Sequence, residues 1–311
     1  MSTVGIIGAG LIGRSWAMVF ARAGWSVRIT DTSEAARRAA PGLIKTALGD
    51  QARHGPVRDP RAVLERIRVV DALEQAVAAA DFVQECGPEN AAAKRRLFRA
   101  IDRAAPPTAI VASSSSAIVA SRFTKGLAGR ARCLIAHPVN PPHLVPIVEL
   151  CGAPWTSAAI VARARAIYTE IGQVPITVRR ECDGFIVNRL QGALLAEAFR
   201  LVGQGFVSAA DLDKTIAHGL GLRWSFMGPF ETIELNAPGG IADYCRRYTG
   251  FYKRLARDPA GPSVYGGPNT KAILSAWNAV SSGRHGAKSR WRDERLAALV
   301  AHKRGQKAYK A

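Results

Sequence analysis

The sequence predicts a doubly wound α/β domain followed by an all-helical one, and three observations carry that expectation. A short apolar run ends in Gly8-Ala9-Gly10-Leu11-Ile12-Gly13 and opens into a helix-period segment. Short apolar runs then alternate with longer helix-period stretches as far as Asp183, the trace of a parallel sheet covered by helices. From Gly184 onward the strand signal fades. At 311 residues the chain is long enough for two cores, which we place at 1–183 and 184–311.

Strands are expected at Val4 to Ile7, Val27 to Thr30, Ile67 to Val70, Phe82 to Glu85, Ala109 to Ala112 and Cys133 to Ala136, each bounded by a turn or helix signal. Pro146 to Leu150 and Val174 to Val178 extend or flank the same sheet. Between the first two strands, Ile12, Trp16, Val19, Phe20 and Ala23 recur at helical spacing and would cover one sheet face, with Gly24 ending that helix. Beyond the boundary, Phe185 to Gly203 reads as one long helix of small and aliphatic residues. Ser208 is placed to cap the next, Gly219-Leu220-Gly221 and Gly228-Pro229 read as breaks, and Arg257 to Asn269 reads as a loop. The basic tail after Ala301 is expected to fray.

Composition excludes several classes. Hydrophobic residues at 48% and charged residues at 22% leave no room for a mainly disordered chain. The longest apolar runs, such as Ala76 to Ala80, are far short of the roughly 20 residues a membrane span needs. Five widely spaced cysteines without a C-x-x-C pair argue against a disulfide framework and a zinc site, so no metal is expected. With no signal-peptide pattern at the N-terminus, the chain reads as cytoplasmic. The net charge of +19 makes anionic partners plausible. Its densest stretch, from Arg284 through Arg290, Arg292 and Arg295 to Lys303, Arg304, Lys307 and Lys310, lacks aromatic interleaving and reads as a solvated surface; no nucleic acid is expected.

The glycine run follows a predicted strand and opens a predicted helix, the context of a dinucleotide fingerprint in a Rossmann-type domain. Gly8 would permit the tight turn, Gly10 the approach of a pyrophosphate to the helix N-terminus at Leu11 and Ile12, and Gly13 close packing of helix on strand. Asp31 closes the second strand, where a carboxylate can accept ribose hydroxyls and repel a 2′-phosphate; Thr32 and Ser33 offer no arginine to receive one. NAD is the expected cofactor. A dehydrogenase also needs a base for the hydroxyl proton, and His137 stands at the carboxyl end of an apolar strand, where ligands of open sheets gather. Twelve residues on, Glu149 lies in an apolar run in which a carboxylate is costly unless paired; spacing leaves this pair balanced against a structural histidine and a surface glutamate. His143 is the next candidate base.

The glycine fingerprint, the serine run Ser113 to Ser116, His137-Pro-Val-Asn-Pro-Pro with Glu149, and Gly184-Phe-Ile-Val-Asn188-Arg-Leu together resemble the 3-hydroxyacyl-CoA dehydrogenase superfamily. His137-Pro-Val-Asn-Pro-Pro and the segment from Gly219 to Thr232 are more similar to its lambda-crystallin branch, whose activity is L-gulonate 3-dehydrogenase. The resemblance implies that His137 is the general acid/base, Glu149 its orienting partner, and Ser115 and Asn188 hydrogen-bond donors to the reacting oxygen. It also implies a homodimer, which the apolar long helix suits. Where acyl-CoA members are small and uncharged, this sequence has Arg223, a guanidinium suited to a free carboxylate. The expected reaction is therefore oxidation of L-gulonate or a close sugar acid at carbon 3. A short-chain 3-hydroxyacyl-CoA dehydrogenase is the alternative, a carnitine dehydrogenase the third reading.

Overall fold

The computed structural model describes residues 1–54, 57–276 and 282–306. β1 (Thr3–Ile7) leads through the glycine turn into α1 (Leu11–Arg22) and β2 (Ser26–Thr30). α2 (Glu34–His54) and α3 (Pro60–Glu65) precede β3 (Ile67–Val69), and α4 (Leu73–Val77) precedes β4 (Phe82–Glu85). α5 (Ala91–Ala104), β5 (Ile110–Ser113), the short α6 (Ser121–Thr124) and β6 (Cys133–Pro138) follow. β7 (Ile147–Gly152), α7 (Ala158–Glu170) and β8 (Val174–Val178) complete the sheet, whose order is β3-β2-β1-β4-β5-β6-β7-β8. All eight expected strands are present. Neighbours are parallel except β6 and β7, a hairpin that turns through the proline-rich segment and adds the last two strands to the edge.

Helices on both faces explain why the strands read as unbroken apolar runs. Val4, Ile6, Phe82, Ile110 and Leu134 pack into one core, and Ile7, Val83, Val111 and Ile135 into the other. The first core is centred on Trp16, Phe20, Phe82 and Tyr168, all fully buried, with Phe82 and Tyr168 edge-on at 5.5 Å and Trp16 and Tyr168 at 5.3 Å. Truncating one of these to alanine would cost about 3–5 kcal/mol. Asn90 caps α5 by accepting from Ala93 N–H at 2.9 Å, which sets the start of the helix after β4.

The chain divides into two compact units, Met1–Asn188 with Lys288–Ala311, and Arg189–Ala287. The sequence reading gives 184–311 to one domain; the contacts instead group the end of the chain with the first unit. Ala297 of α14 (Ser282–Gly305) is buried, and Arg290, Asp293 and Glu294 border a hollow with Leu11, Ala47, Asp50, Gln51 and His143. The expected fraying after Ala301 is corrected accordingly: the helix continues to Gly305, while Lys307 and Lys310 lie outside the described residues.

The second unit is helical. α8 (Val187–Gly203) begins two residues later than expected. α9 (Ala209–Thr215) is capped as expected, Ser208 Oγ accepting from Asp211 N–H at 3.1 Å. The expected break at Gly219 to Gly221 is absent, because a π-helical turn (Ile216–Leu220) carries α9 directly into α10 (Gly221–Trp224). That run ends at Trp224, and after the expected break Gly228 takes the N-cap and Pro229 the first position of α11 (Pro229–Leu235), where its missing N–H costs nothing. α12 (Gly240–Leu255) and α13 (Gly267–Ala276) follow; the expected loop from Arg257 contains a 3-10 turn (Pro262–Tyr265) and gives way to helix at Gly267. Among the described residues no helix is long and apolar enough to cross a membrane.

Candidate active site

The carboxyl ends of β1, β2, β5 and β6 carry the glycine run, Asp31, the serine run and His137, on the side of an open sheet where ligands bind. Gly8 has φ of +111°, and a Cβ there would lie 2.6 Å from the Cys86 carbonyl oxygen. A Cβ on Gly13 would collide with the Gly8 carbonyl. Gly10, by contrast, faces open space, so the helix N-terminus is accessible where a pyrophosphate would approach. No acidic residue stands in the first turn of α1, leaving the N–H groups of that end in a positive field. These three environments fit a dinucleotide.

Gly8 and Gly10 line a cleft of about 560 Å³ with Thr30, Asp31, Arg37, Cys86 and Gly87. The Asp31 carboxylate is fixed by Ala9 N–H at 2.7 Å and Ser33 N–H at 2.9 Å, so β2 presents it at the edge of the glycine turn. Arg37 was not singled out by sequence, because it enters from the first turns of α2 and not from the residues next to Asp31.

His137 and Glu149 are directly opposed across the antiparallel pair β6–β7. His137 Nδ1 lies 2.8 Å from Glu149 Oε2, and both side chains are buried. Glu149 Oε1 accepts from Ile186 N–H at 2.8 Å and Val187 N–H at 3.0 Å, the donors at the start of α8. Burial works to raise its pKa, but the hydrogen bonds from His137 and these two amides outweigh it and hold the carboxyl below its ordinary range. An ionised carboxylate only accepts, so the proton between the two belongs to Nδ1, and Nε2 is the ring nitrogen left to exchange a proton with a substrate. The turn that aims those amides is unusual: Gly184 and Phe185 have φ of +76° and +47°, and the Phe185 ring packs 5.6 Å from the imidazole. A bulky residue held at positive φ beside a candidate base is strain kept where geometry matters.

The serine run divides in function. Ser115 Oγ donates to Glu89 Oε1 at 2.6 Å and accepts from Ile118 N–H at 2.9 Å, and the residue is buried. Its hydroxyl is engaged in holding the loop, whereas the sequence reading sets it on the reacting oxygen. Ser116 is the exposed neighbour, and its carbonyl accepts from Asn188 Nδ2 at 3.0 Å. A one-residue step along extended chain reverses the face a side chain occupies. Sequence reading also passed over the acids and lysine behind this loop. Lys94, fully buried, donates to both oxygens of the equally buried Glu85 at 3.0 and 2.9 Å and lies 3.9 Å from Glu89. The signal available was two glutamates and a lysine around the end of an apolar strand.

His143 does not present itself as a base. Its Nδ1 is 3.0 Å from Ser15 Oγ, and burial, with Arg22 and Arg292 nearby, pushes its pKa down to about 4. Arg223 lies exposed on α10 in the second unit, and among the described residues it forms no ion pair.

Two family models match the chain in tandem: 3-hydroxyacyl-CoA dehydrogenase, NAD binding domain, over residues 3–182, and 3-hydroxyacyl-CoA dehydrogenase, C-terminal domain, over residues 184–290. Lambda-crystallin of Oryctolagus cuniculus is 38% identical over 305 residues, covering 96% of this chain and 95% of its own. L-carnitine dehydrogenase of Streptomyces coelicolor is 40% identical over 286 residues, 90% of this chain and 88% of its own. Among solved structures, 5-formyl-3-hydroxy-2-methylpyridine 4-carboxylic acid 5-dehydrogenase, an NAD+ dependent dismutase, superposes with a TM-score of 0.85 at 27% identity over 99% of this chain and 100% of that one. Matches of this extent and order mean that the chain belongs to the 3-hydroxyacyl-CoA dehydrogenase family and is an NAD-dependent oxidoreductase.

Proposed function

We propose that this chain oxidises the 3-hydroxyl of L-gulonate, or of a close sugar acid, to the 3-keto acid. One observation carries the chemistry: Glu149, held ionised at 2.8 Å, keeps a proton on His137 Nδ1 and so assigns Nε2 as the nitrogen that exchanges a proton with substrate, the role a general acid/base requires. Bound NAD supplies the hydride acceptor. Gly8, Gly10, Leu11, Ile12 and Gly13 would hold its pyrophosphate and Asp31 its adenosine ribose. His137 Nε2 takes the hydroxyl proton, and Glu149 stabilises the imidazolium that results. Asn188 and a serine hydroxyl donate to the oxygen as it becomes a carbonyl. Ser116 suits that donation better than Ser115, whose hydroxyl is engaged by Glu89 and the Ile118 carbonyl.

The substrate class rests on Arg223. Exposed and without an ion-pair partner among the described residues, it is available to a carboxylate, which a sugar acid has and an acyl-thioester lacks. The solved relative with a TM-score of 0.85 acts on a carboxylic acid, which favours the same class. The test is initial rates of NAD reduction with L-gulonate, 3-hydroxybutyryl-CoA and L-carnitine side by side. L-Gulonate should be preferred; a higher specificity constant for either rival would replace this reading with that one.

We also read the chain as a homodimer through its second unit. Phe230 and Leu235 are each 72% exposed there, with Phe226 and Leu255 at 56%, an apolar surface unusual for a monomer. Sedimentation should give twice the 33.2 kDa chain mass, and a monomer at micromolar concentration would contradict it.

A further inference from the structure

The adenosine end of the cleft contains a cation that the residues beside Asp31 do not suggest. Arg37 lines the same wall as Asp31, Gly8 and Gly10. Its Nη1 donates to the Asp31 backbone carbonyl at 2.7 Å, and its Nε stands 3.3 Å from Asp71 Oδ1 in an ion pair too poorly aligned to count as a hydrogen bond. The Arg37 side chain is 17% exposed, whereas Asp71 is 90% exposed, so water screens the acid that the arginine meets among the described residues. The guanidinium is therefore anchored but not electrically satisfied.

The Asp31 carboxylate lines the same cleft with both oxygens engaged, Oδ2 by Ala9 N–H and Oδ1 by Ser33 N–H. A 2′-phosphate carries between one and two negative charges and cannot share that place with a carboxylate. Removing the carboxylate would do more than relieve repulsion. It would release two backbone donors toward the vacated space, with a planar guanidinium beside them, and converging N–H groups next to an arginine are what a phosphate monoester binds.

We propose that Arg37 is a latent 2′-phosphate-binding residue: it forms, with the Ala9 and Ser33 amides, a site that Asp31 alone keeps closed, so that selection of NAD over NADP in this chain rests on one side chain. The inference depends on the reading of Asp31 as the ribose acceptor. Position 37 then decides how well NADP binds once position 31 is neutral. Serine at 31 keeps a small hydroxyl for the sugar while removing the charge.

The experiment titrates NADH and NADPH by their fluorescence against the native chain and the variants Asp31→Ser, Asp31→Ser with Arg37→Met, and Asp31→Ser with Arg37→Lys. The quantity read is the ratio of the two affinities, so a general loss of cofactor binding cancels. Asp31→Ser should shift the ratio toward NADPH by at least about a hundredfold, and adding Arg37→Met should take back about ten- to hundredfold, the range of one charge-assisted contact. Lysine should restore part of that loss, since it keeps the charge without the planar fork. A preference for NADPH that survives Arg37→Met, or an Asp31→Ser variant that weakens NADH without gaining NADPH, would overturn the role of Arg37. Unchanged NADH affinity in Asp31→Ser would instead remove the ribose reading of Asp31, and this inference with it.

Discussion

Ser15 Oγ lies 2.8 Å from the Leu11 carbonyl and 3.0 Å from His143 Nδ1, and its single proton can serve only one of them. The carbonyl has no proton to give, so Ser15 donates to Leu11 and accepts from His143. That fixes His143 as the neutral Nδ1–H tautomer and ties the segment after His137 to the second turn of the helix that the glycine fingerprint opens. With its pKa lowered from 6.5 to about 4, His143 takes up a proton in the unfolded chain before it does in the folded one. Stability is then complete above about pH 6.5 and falls as the pH drops toward 4. Denaturant midpoints of the native chain and His143→Gln, compared at pH 7 and pH 4.5, should show a smaller acid loss in the variant. Equal losses would mean that His143 is not held neutral.

The His137–Glu149 pair is testable through its proton. His137→Asn should lower turnover by at least about a hundredfold while leaving NAD binding intact. Glu149→Gln is more informative, because the amide carbonyl can keep the Ile186 and Val187 donors while its NH2 faces Nδ1. Nδ1 must then accept, the ring proton moves to Nε2, and no base faces the substrate. We expect a loss of about 10²–10⁴-fold with cofactor affinity near normal. Turnover within a few-fold of native would place the base elsewhere.

The two middle serines should separate stability from turnover. Ser115→Ala removes one acceptor from the half-buried Ile118 N–H, which keeps Glu89 Oε1 at 3.2 Å, and takes a donor from Glu89, a change costing about 0.5–1.5 kcal/mol. Thermal unfolding should fall by several degrees while turnover stays close to native. Ser116→Ala should do the reverse. If Ser115→Ala abolished turnover without destabilising the chain, the original assignment of Ser115 to the reacting oxygen would stand.

The same contrast marks where the sequence was legible. The eight strands could be read because residues such as Val4, Ile6 and Ile7 are buried on both faces of the sheet, which removes polar alternation and leaves plain apolar runs. His137 and Glu149 could be matched because an antiparallel hairpin with a proline-rich turn makes a spacing of twelve residues equivalent to direct opposition. Single-residue register was another matter. Ser115 and Ser116 are indistinguishable in a run of four serines, and only the loop geometry decides which hydroxyl meets Glu89. Arg37 stayed hidden because one turn of helix, and not adjacency, brings it back to Asp31. Gly219 and Gly221 read as breakers because propensity is a weak prior, and here a π-helical turn absorbs them. The contacts of the last helix are hidden by its charge: among its described residues only Ala297 is buried between so many cations, too narrow a stripe to announce a docking face.

Arg223 supplies the prediction that decides the substrate class. Truncation to methionine keeps an unbranched apolar stem and removes the guanidinium, so it should chiefly weaken acidic substrates. A charge-assisted bidentate contact contributes about 1.5–3 kcal/mol, equivalent to a ten- to hundredfold rise in the KM for L-gulonate. Lysine should rescue only partly, since a point charge lacks the planar fork. If the contact is equally strong in the ground and transition states, kcat will hardly move; if the arginine also aligns carbon 3 with the cofactor, kcat will fall with it. The lactone or carboxamide of gulonate gives the complementary measurement. Either should bind the native chain more weakly than the acid does, and should be nearly indifferent to Arg223→Met. A native chain that binds charged and neutral analogues alike would remove the carboxylate from recognition altogether, and with it the reason for preferring a sugar acid to an acyl-thioester.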